Sequence, residues 1–454
     1  MNIILIVADT LRRDHLPPYG NQTVLAPNLT AFAESALVFE DCYPASFPTV
    51  PTRADLMTGR YTFTYLDWGP LPRNEVTLAQ CLSRAGYTTC GVIDTPFMVR
   101  NGYGHDRGFG DIIYVRGQGD AERIDVNLWR RAEEDYCAPR TFREAADWLE
   151  RHHKEQFFLY VDTWDPHEPW DPPHHYVTPY LPDYQGEVIP PPYWDYAEDG
   201  ITERELAIAH ACYCGEISMV DRWFGHLMER VRTLGLLENT AIIFLSDHGF
   251  YFGEHGQFGK RRFRWPDNLP FEQGFLLGRT LADGYTFRSP LHNEVTQVPL
   301  LMHLPGQGAR RVPGLVSLPD LMPTVLDLAD VAIPDRVQAH SILPLARGES
   351  ASPNSIAVTS APFEELGGLS KTVDDRAREV LEASPSTITN GEWDLLYGVH
   401  GDPVELYRTR ADPQHRHNRI ETYGSVAEQL HAQFVAWLEA AGTAPEILAP
   451  RRRL

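Results

Sequence analysis

The residues best placed to do chemistry in this chain are an acid and an imidazole, Asp247-His248, set directly after the apolar run Ala241 to Leu245. A short, β-branched-rich run of this kind reads as a strand buried on both faces. Open α/β sheets bind their ligands in the crevice beyond the carboxyl ends of such strands. The first residues repeat the pattern, because Asn2 to Ala8 is a second buried-strand run and ends in Asp9-Thr10. One Asp after one strand is ordinarily a turn or helix N-cap residue. Two carboxylates and a histidine delivered to the same sheet edge are the donors of a metal site. A hydroxyl joins them in the stretch from Ser46 to Arg60, where Pro48 and Pro51 hold a rigid turn around Thr49 and a helix is predicted from about Thr52. The N–H groups and positive dipole end of that helix would face Thr49. A hydroxyl there, with Arg53 behind it, suits a tetrahedral oxyanion.

Together these stretches resemble the sulfatase family of the alkaline phosphatase superfamily. Asn2 to His15 is similar to the family's opening strand. Thr49 to Arg53, with Leu56 to Gly59 behind, lies on its Cys/Ser-x-Pro-Ser-Arg nucleophile motif. Ser246 to Gly249, Gly253 to Gly256 and Gly259-Lys260 lie on its second metal motif and catalytic lysine. Asp165 to Pro169 resembles its Pro-His-x-Pro histidine, and Asp320 to Thr324, Glu405 to Tyr407 and Asp412-Pro413 resemble later signatures. The resemblance implies an α/β fold, a central mostly parallel sheet flanked by helices, followed by a small C-terminal antiparallel sheet and helix. It implies Asp9, Thr49, Asp247 and His248 as metal ligands. Thr49 would be the nucleophile and Arg53 would fix it, while Lys260 and His167 would stabilise the oxyanion and the leaving group.

Departures from the family pattern shape the expected function. The family has Cys or Ser at the nucleophile position, oxidised to formylglycine in true sulfatases. Thr49 cannot give that aldehyde, since its β-carbon carries a methyl group, and so resembles members that attack through the hydroxyl. A hydroxyl is a weak nucleophile at neutral pH and needs metal coordination. The opening acid pair is here Asp9-Thr10, and the second motif has Asp-His where calcium sulfatases have Asp-Asn. One nitrogen ligand and fewer charges favour manganese, zinc or iron over calcium, with one ion rather than two. A second ion on Asp165, His167 and His292 is the lesser alternative. The Lys and His that contact sulfate in the family are replaced by Asp94 and Pro96. That stretch resembles phosphonate monoester hydrolases and phosphodiesterases, in which a Thr, here Thr95, reaches toward the oxyanion. Thr10 and His292 are further candidate substrate contacts. The expectation is therefore a metal-dependent hydrolase of phosphate or phosphonate (di)esters. Sulfate-ester hydrolysis without formylglycine is the first alternative, and an inactive binding protein on the same fold is the second.

The rest of the chain must position these groups. Ala36 to Phe39 and Phe157 to Val161 read as strands, and Thr141 to His153, Glu203 to Leu236 and Val316 to Asp330 as helices. Asp183 to Asp199 reads as a Pro- and aromatic-rich loop over the pocket, and Pro266 to Arg288, beyond Arg261, Arg262 and Arg264, as an insertion. Asn390-Gly391 between strand-like runs signals a hairpin. Val426 to Ala441 reads as a closing amphipathic helix. The expected division is a catalytic domain over 1–365 and a small subdomain over 366–454.

A net charge of −22 argues against nucleic acid or anionic membrane as partner, and leaves a small anionic ester as substrate if a cation and local Lys and Arg reverse the field. No run reaches the roughly 18 apolar residues of a membrane helix, and no secretory signal is expected. Six cysteines without CxxC spacing read as reduced thiols of a cytoplasmic protein. The resemblance leaves room for a homo-oligomer, a dimer or tetramer.

Overall fold

The structure is a computed structural model that describes all residues except 67, 100–101, 118–131, 261, 265–285, 289–290, 364–384 and 400–403. Its spine is β1 (Asn2–Ala8), all seven residues of which are buried. It lies mid-sheet between two parallel neighbours, β5 (Phe157–Thr163) and β7 (Thr240–Ser246). Beyond them lie β3 (Thr88–Ile93) and β4 (Asp111–Tyr114) on one side, and β12 (Leu300–His303), β2 (Leu37–Tyr43) and β13 (Arg310–Ser317) on the other. The order is β13-β2-β12-β7-β1-β5-β3-β4, and β12 alone runs against its neighbours.

Period-two alternation of β1 feeds two cores. Ile4, Ile6 and Ala8 face one layer and Ile3, Leu5 and Val7 the other. The first layer is covered by α1 (Pro27–Ala33), α5 (Cys137–His152) and the 31-residue α7 (Glu203–Thr233). The second is covered by α2 (Thr49–Thr58), α3 (Leu78–Arg84) and the helix Leu321–Leu328. Short helices α4 (Pro96–Val99) and α6 (His174–Val177) sit in the connections.

Several boundaries differ from the sequence reading. The α2 helix starts at Thr49, not Thr52, because Pro51 falls in the first turn, where a missing N–H costs no intrahelical bond. Strand β2 runs on to Tyr43, and Val316-Ser317 close β13, so the helix there begins only at Leu321. The 183–199 segment is not all loop. Its β6 (Trp194–Asp195) pairs with β9 (Gln257–Gly259), which also pairs with β8 (Tyr251–Phe252), and this three-stranded patch leads directly into Lys260. The insertion lies outside the described residues, apart from the backbone of β10 (Arg262–Arg264) and β11 (Thr286–Arg288), which pair antiparallel.

A four-stranded antiparallel sheet holds the C-terminal part, with β14 (Ala357–Ser360), β15 (Ser386–Thr389), β16 (Trp393–Tyr397) and β17 (Glu405–Arg408). Asn390-Gly391 sits in the β15–β16 turn, with Gly391 at φ +83°. The helix Gly424–Ala440 packs on this sheet through Leu430, Phe434 and Leu438. The sheet begins upstream of the 365/366 division, since β14 pairs with β15 across the 364–384 segment. Its core also takes in Ala45, Tyr61 and Phe63 from near α2, so the small sheet is seated on the large domain.

Candidate active site

Register places the acids. Asp9 follows β1, Asp247 follows β7, and Asp162 lies in β5 opposite Val7, so three carboxylates meet at one sheet edge. All three are buried. Thr10 organises two of them. Its backbone N–H donates to Asp247 Oδ1 at 2.9 Å, its hydroxyl donates to Asp9 Oδ1 at 2.6 Å, and its carbonyl accepts from Tyr213 at 2.7 Å. The residue is held at φ +63°, uncommon for a β-branched side chain, by these contacts. Its donors are therefore spent on the two carboxylates.

Thr49 opens α2 and its Oγ1 lies 3.2 Å from His248 Nε2. The other ring nitrogen of His248 donates to the Gly249 carbonyl at 3.0 Å, which leaves the Nε2 lone pair facing the hydroxyl. Gly249 is required beside it, because a Cβ there would meet the Glu294 carbonyl at 1.9 Å. Burial pushes the His248 ring down to about pKa 3, with Lys260 adding to the effect against the pull of Asp247, so the imidazole is neutral.

Arg53 does not hold the nucleophile as the sequence suggested; it touches Thr49 only at the backbone carbonyl, at 3.4 Å. Its guanidinium instead joins the acids. One edge donates to Asp162 at 2.7 and 3.1 Å, and Nη1 pairs with Asp9 at 3.0 Å and with Asp247. Tyr160 donates to the same Asp162 at 2.6 Å. Asp162 was missed in the sequence although it repeats the strand-then-acid pattern of β1 and β7. Its role depends on β5 being the neighbour of β1, which one sequence does not reveal.

Lys260 and His167 meet, the ammonium donating to His167 Nε2. His167 Nδ1 in turn donates to the Glu168 carbonyl at 2.8 Å, and Glu168 Oε1 lies 3.7 Å from Lys260. Burial first, then the Lys260 charge, holds the His167 ring well below its usual range. Glu168, buried beside both, was also unrecognised in the sequence. Asp94 does not face this space: its carboxylate accepts from Thr141, Thr163 and the Trp164 N–H. Thr95 Oγ1 and both ring nitrogens of His105 are buried and, among the described residues, without hydrogen-bond partners. His105 carried no motif; burial and the nearby Arg53 and Arg107 charges press it down to about pKa 3.

His292 is elsewhere. Its Nδ1 pairs with His415 Nδ1 at 3.1 Å, and its ring stacks on His255 with centroids 3.7 Å apart. Asp165 accepts from the Ala138 N–H, and His167 is taken by Lys260. The alternative second-ion set of Asp165, His167 and His292 is therefore not assembled, because each member is committed to a different element.

The remaining acids fit a divalent cation. Ligand atoms of Asp9, Asp247 and His248 all lie within 4.8 Å of one another. Asp9 Oδ2 has the Arg53 charge beside it but, among the described residues, accepts no hydrogen bond. Burial, then Asp247, pushes the Asp9 carboxyl well up; burial also acts upward on Asp247, where the Arg53 charge and the Thr10 N–H help to outweigh it. Three carboxylates around one guanidinium leave an excess of acidic groups in a buried site, and a cation held by Asp9, Asp247, His248 and Thr49 would offset it.

Comparison with known proteins agrees with this architecture. The family described as Sulfatase matches residues 1–331. An arylsulfatase of Clostridium perfringens is 27% identical over 406 residues, covering 75% of this chain and 77% of that protein. An ulvan-active sulfatase of Formosa agariphila is 25% identical over 392 residues, covering 80% of this chain and 68% of its own. Among solved structures, the phosphonate monoester hydrolase of Agrobacterium radiobacter superposes with a TM-score of 0.75 at 18% identity, over 97% of this chain and 96% of the other. The fold is that of sulfatases and alkaline phosphatases, the chain is an ester-bond hydrolase by descent, and it belongs to the sulfatase family.

Proposed function

We propose that the protein hydrolyses phosphate or phosphonate esters carrying one negative charge, with the Thr49 hydroxyl as nucleophile. The observation that supports this most is the 3.2 Å approach of Thr49 Oγ1 to the His248 Nε2 lone pair, in the midst of the Asp9–Asp247 pair. When bound there, a divalent ion lowers the pKa of a hydroxyl and offsets charge on the oxyanion; the nitrogen-containing donor set favours a single manganese or zinc ion over calcium. Asp9 and Asp247 hold the hydroxyl end of α2 in a fixed field, and Arg53 ties them to Asp162. Thr49 loses its hydroxyl proton to solvent and attacks phosphorus in line, and the P–O bond to the leaving alcohol breaks as a threonyl phosphodiester or threonyl phosphonate forms. The Lys260 ammonium stabilises the oxyanion and gives up a proton, which the Nε2 lone pair of neutral His167 accepts and passes on to the leaving oxygen. Water then cleaves this threonyl ester at phosphorus, restoring the Thr49 hydroxyl and releasing the phosphate monoester or phosphonate. No formylglycine is needed in this scheme.

The end of β3 supports a singly charged substrate, because among the described residues it contributes the Thr95 hydroxyl, without a hydrogen-bond partner, and no cation. Sulfate esters remain the second reading, favoured by the arylsulfatase relative. Six cysteines outside any disulfide suit a reducing, cytoplasmic setting, and no helix among the described residues is long and apolar enough to cross a membrane.

The test is turnover on chelator-stripped protein refilled separately with manganese, zinc and calcium, using nitrophenyl sulfate, nitrophenyl phosphate, bis-nitrophenyl phosphate and a phenylphosphonate monoester. Fastest turnover of the diester or phosphonate is expected, with a loss of at least ~10³-fold in Thr49→Ala. A preference for nitrophenyl sulfate would transfer the proposal to sulfuryl transfer through the same hydroxyl. Absence of turnover with every metal would favour a binding protein.

A further inference from the structure

We propose that His15, His210 and Cys214 form a second, separate metal site for a thiolate-tolerant divalent cation of the zinc type. It does not rest on the reaction proposed above. The ligand atoms, His15 Nε2, His210 Nε2 and Cys214 Sγ, lie within 4.8 Å of one another. The two imidazole nitrogens face each other at 2.9 Å, and the sulfur is 3.9 Å from His210 Nε2. His210 and Cys214 are one turn apart on α7, so a single helix face presents both, as in helical zinc motifs with ligands at i and i+4.

His15 arrives from the segment after β1 and is oriented for the task. Asp14 Oδ1 lies 2.8 Å from its Nδ1, and both oxygens of Asp14 are also held by Arg12, at 2.9 and 2.7 Å. A carboxylate so fixed keeps the proton on Nδ1 and turns the Nε2 lone pair toward His210. This carboxylate–histidine arrangement stands behind many zinc-ligating imidazoles. Two nitrogens on one tetrahedral zinc are about 3.3 Å apart, so the rings need to part by only a few tenths of an ångström. Two imidazoles and a thiolate select zinc over magnesium or calcium, and a water would complete the shell at the half-exposed His210 side. Binding displaces the Cys214 thiol proton to solvent, with no change of oxidation state.

The consequence is a clasp. Tyr213, between the two α7 ligands, donates to the Thr10 carbonyl at 2.7 Å and accepts from the Arg12 N–H at 2.8 Å. Arg12 also pairs with Glu254 at 2.6 Å, in the loop that leads to Lys260. An ion on His15, His210 and Cys214 would therefore fasten the segment that carries Asp9 and Thr10 to α7 from behind.

The experiment is a titration of chelator-stripped full-length protein with cobalt(II) alone, followed by competition with zinc. The active-site cluster contains no sulfur, so a thiolate-to-cobalt charge-transfer band reports this second site. The band should appear at one equivalent in Asp247→Asn protein, where the catalytic cluster is disabled, and zinc should abolish it. It should vanish in Cys214→Ser, weaken at least ~100-fold in affinity in His210→Ala, and weaken ~10–100-fold in Asp14→Asn. If Cys214→Ser fails to fold, His210→Ala, at a half-exposed position, tests the same ligand set. No band in wild-type protein at saturating cobalt, or a band unchanged in either ligand variant, would overturn the proposal.

Discussion

Two buried histidines of the large domain, His167 and His292, differ in where their hydrogen bonds lead. His167 accepts from Lys260, a cation whose further neighbour, Glu168, stands off at 3.7 Å. His292 pairs with His415, which passes on to Asp394 at 2.9 Å, a carboxylate that also accepts from Thr409 at 2.9 Å and Asn293 at 3.3 Å. The first chain leads to a lysine from the β8–β9 patch beside the carboxylate cluster. The second crosses from the large domain into the four-stranded sheet and stops at an acid already supplied with donors. Tyr407 stacks on His415 with centroids 4.4 Å apart, and His255 stacks on His292. A polar chain that closes on itself within packed aromatics is a joint between layers. One that ends in a charge beside unsatisfied acids is equipped to meet a ligand.

The largest effect that sharpens this contrast is on turnover. Lys260→Ala should lower kcat by ~10²–10³-fold, the range for removing one oxyanion donor, with little change in melting temperature. His167→Ala should fall in a similar range, and the double variant should lose less than the product of the two, because they share one hydrogen bond. Steady-state kinetics on the best substrate decides the matter. Additive losses would mean that the two side chains act independently.

His415→Ala should do the reverse. It leaves the His292 N–H without its acceptor and takes the ring donor from Asp394, a cost of about 2 kcal/mol in denaturant unfolding. Its kcat should stay within about twofold of wild type. A tenfold fall in kcat with unchanged stability would place His292 and His415 in the chemistry after all.

The sequence exposed one pair better than the other for a physical reason. His167 follows a fully buried strand, and Lys260 follows a glycine-rich turn after the Asp247-His248 pair, so each sits where local pattern marks a sheet edge. The partner of His292 lies 123 residues further on, in a turn beside β17. Nothing local distinguishes a histidine awaiting a ligand from one awaiting another histidine. The same limit hid Asp162, whose role comes from a register with β1, and Thr10, whose donors are consumed by acids that only the fold brings near. Strands such as β1 and β7 were legible because burial on both faces leaves a continuous apolar run. The early start of β14 was not, since its four residues are ordered by a strand beyond the 364–384 segment.

His105 is a third case that neither pair covers, and it gives the smallest effect. Its ring is buried with no hydrogen-bond partner among the described residues, and burial, with Arg53 and Arg107 nearby, holds it near pKa 3. The unfolded chain takes up a proton at this histidine below about pH 6.5, whereas the folded one does not until about pH 3. The unfolded state therefore binds more protons throughout that window, so stability is full above pH 6.5 and falls as pH drops toward 3. One unit into the window, at pH 5.5, this single group accounts for about 1.4 kcal/mol. His105→Asn should remove that part of the slope, measured as unfolding free energy at pH 7.5 and pH 5.5 in both proteins. An unchanged slope would mean that the folded and unfolded chains protonate this ring alike over that range, and that burial does not hold it neutral.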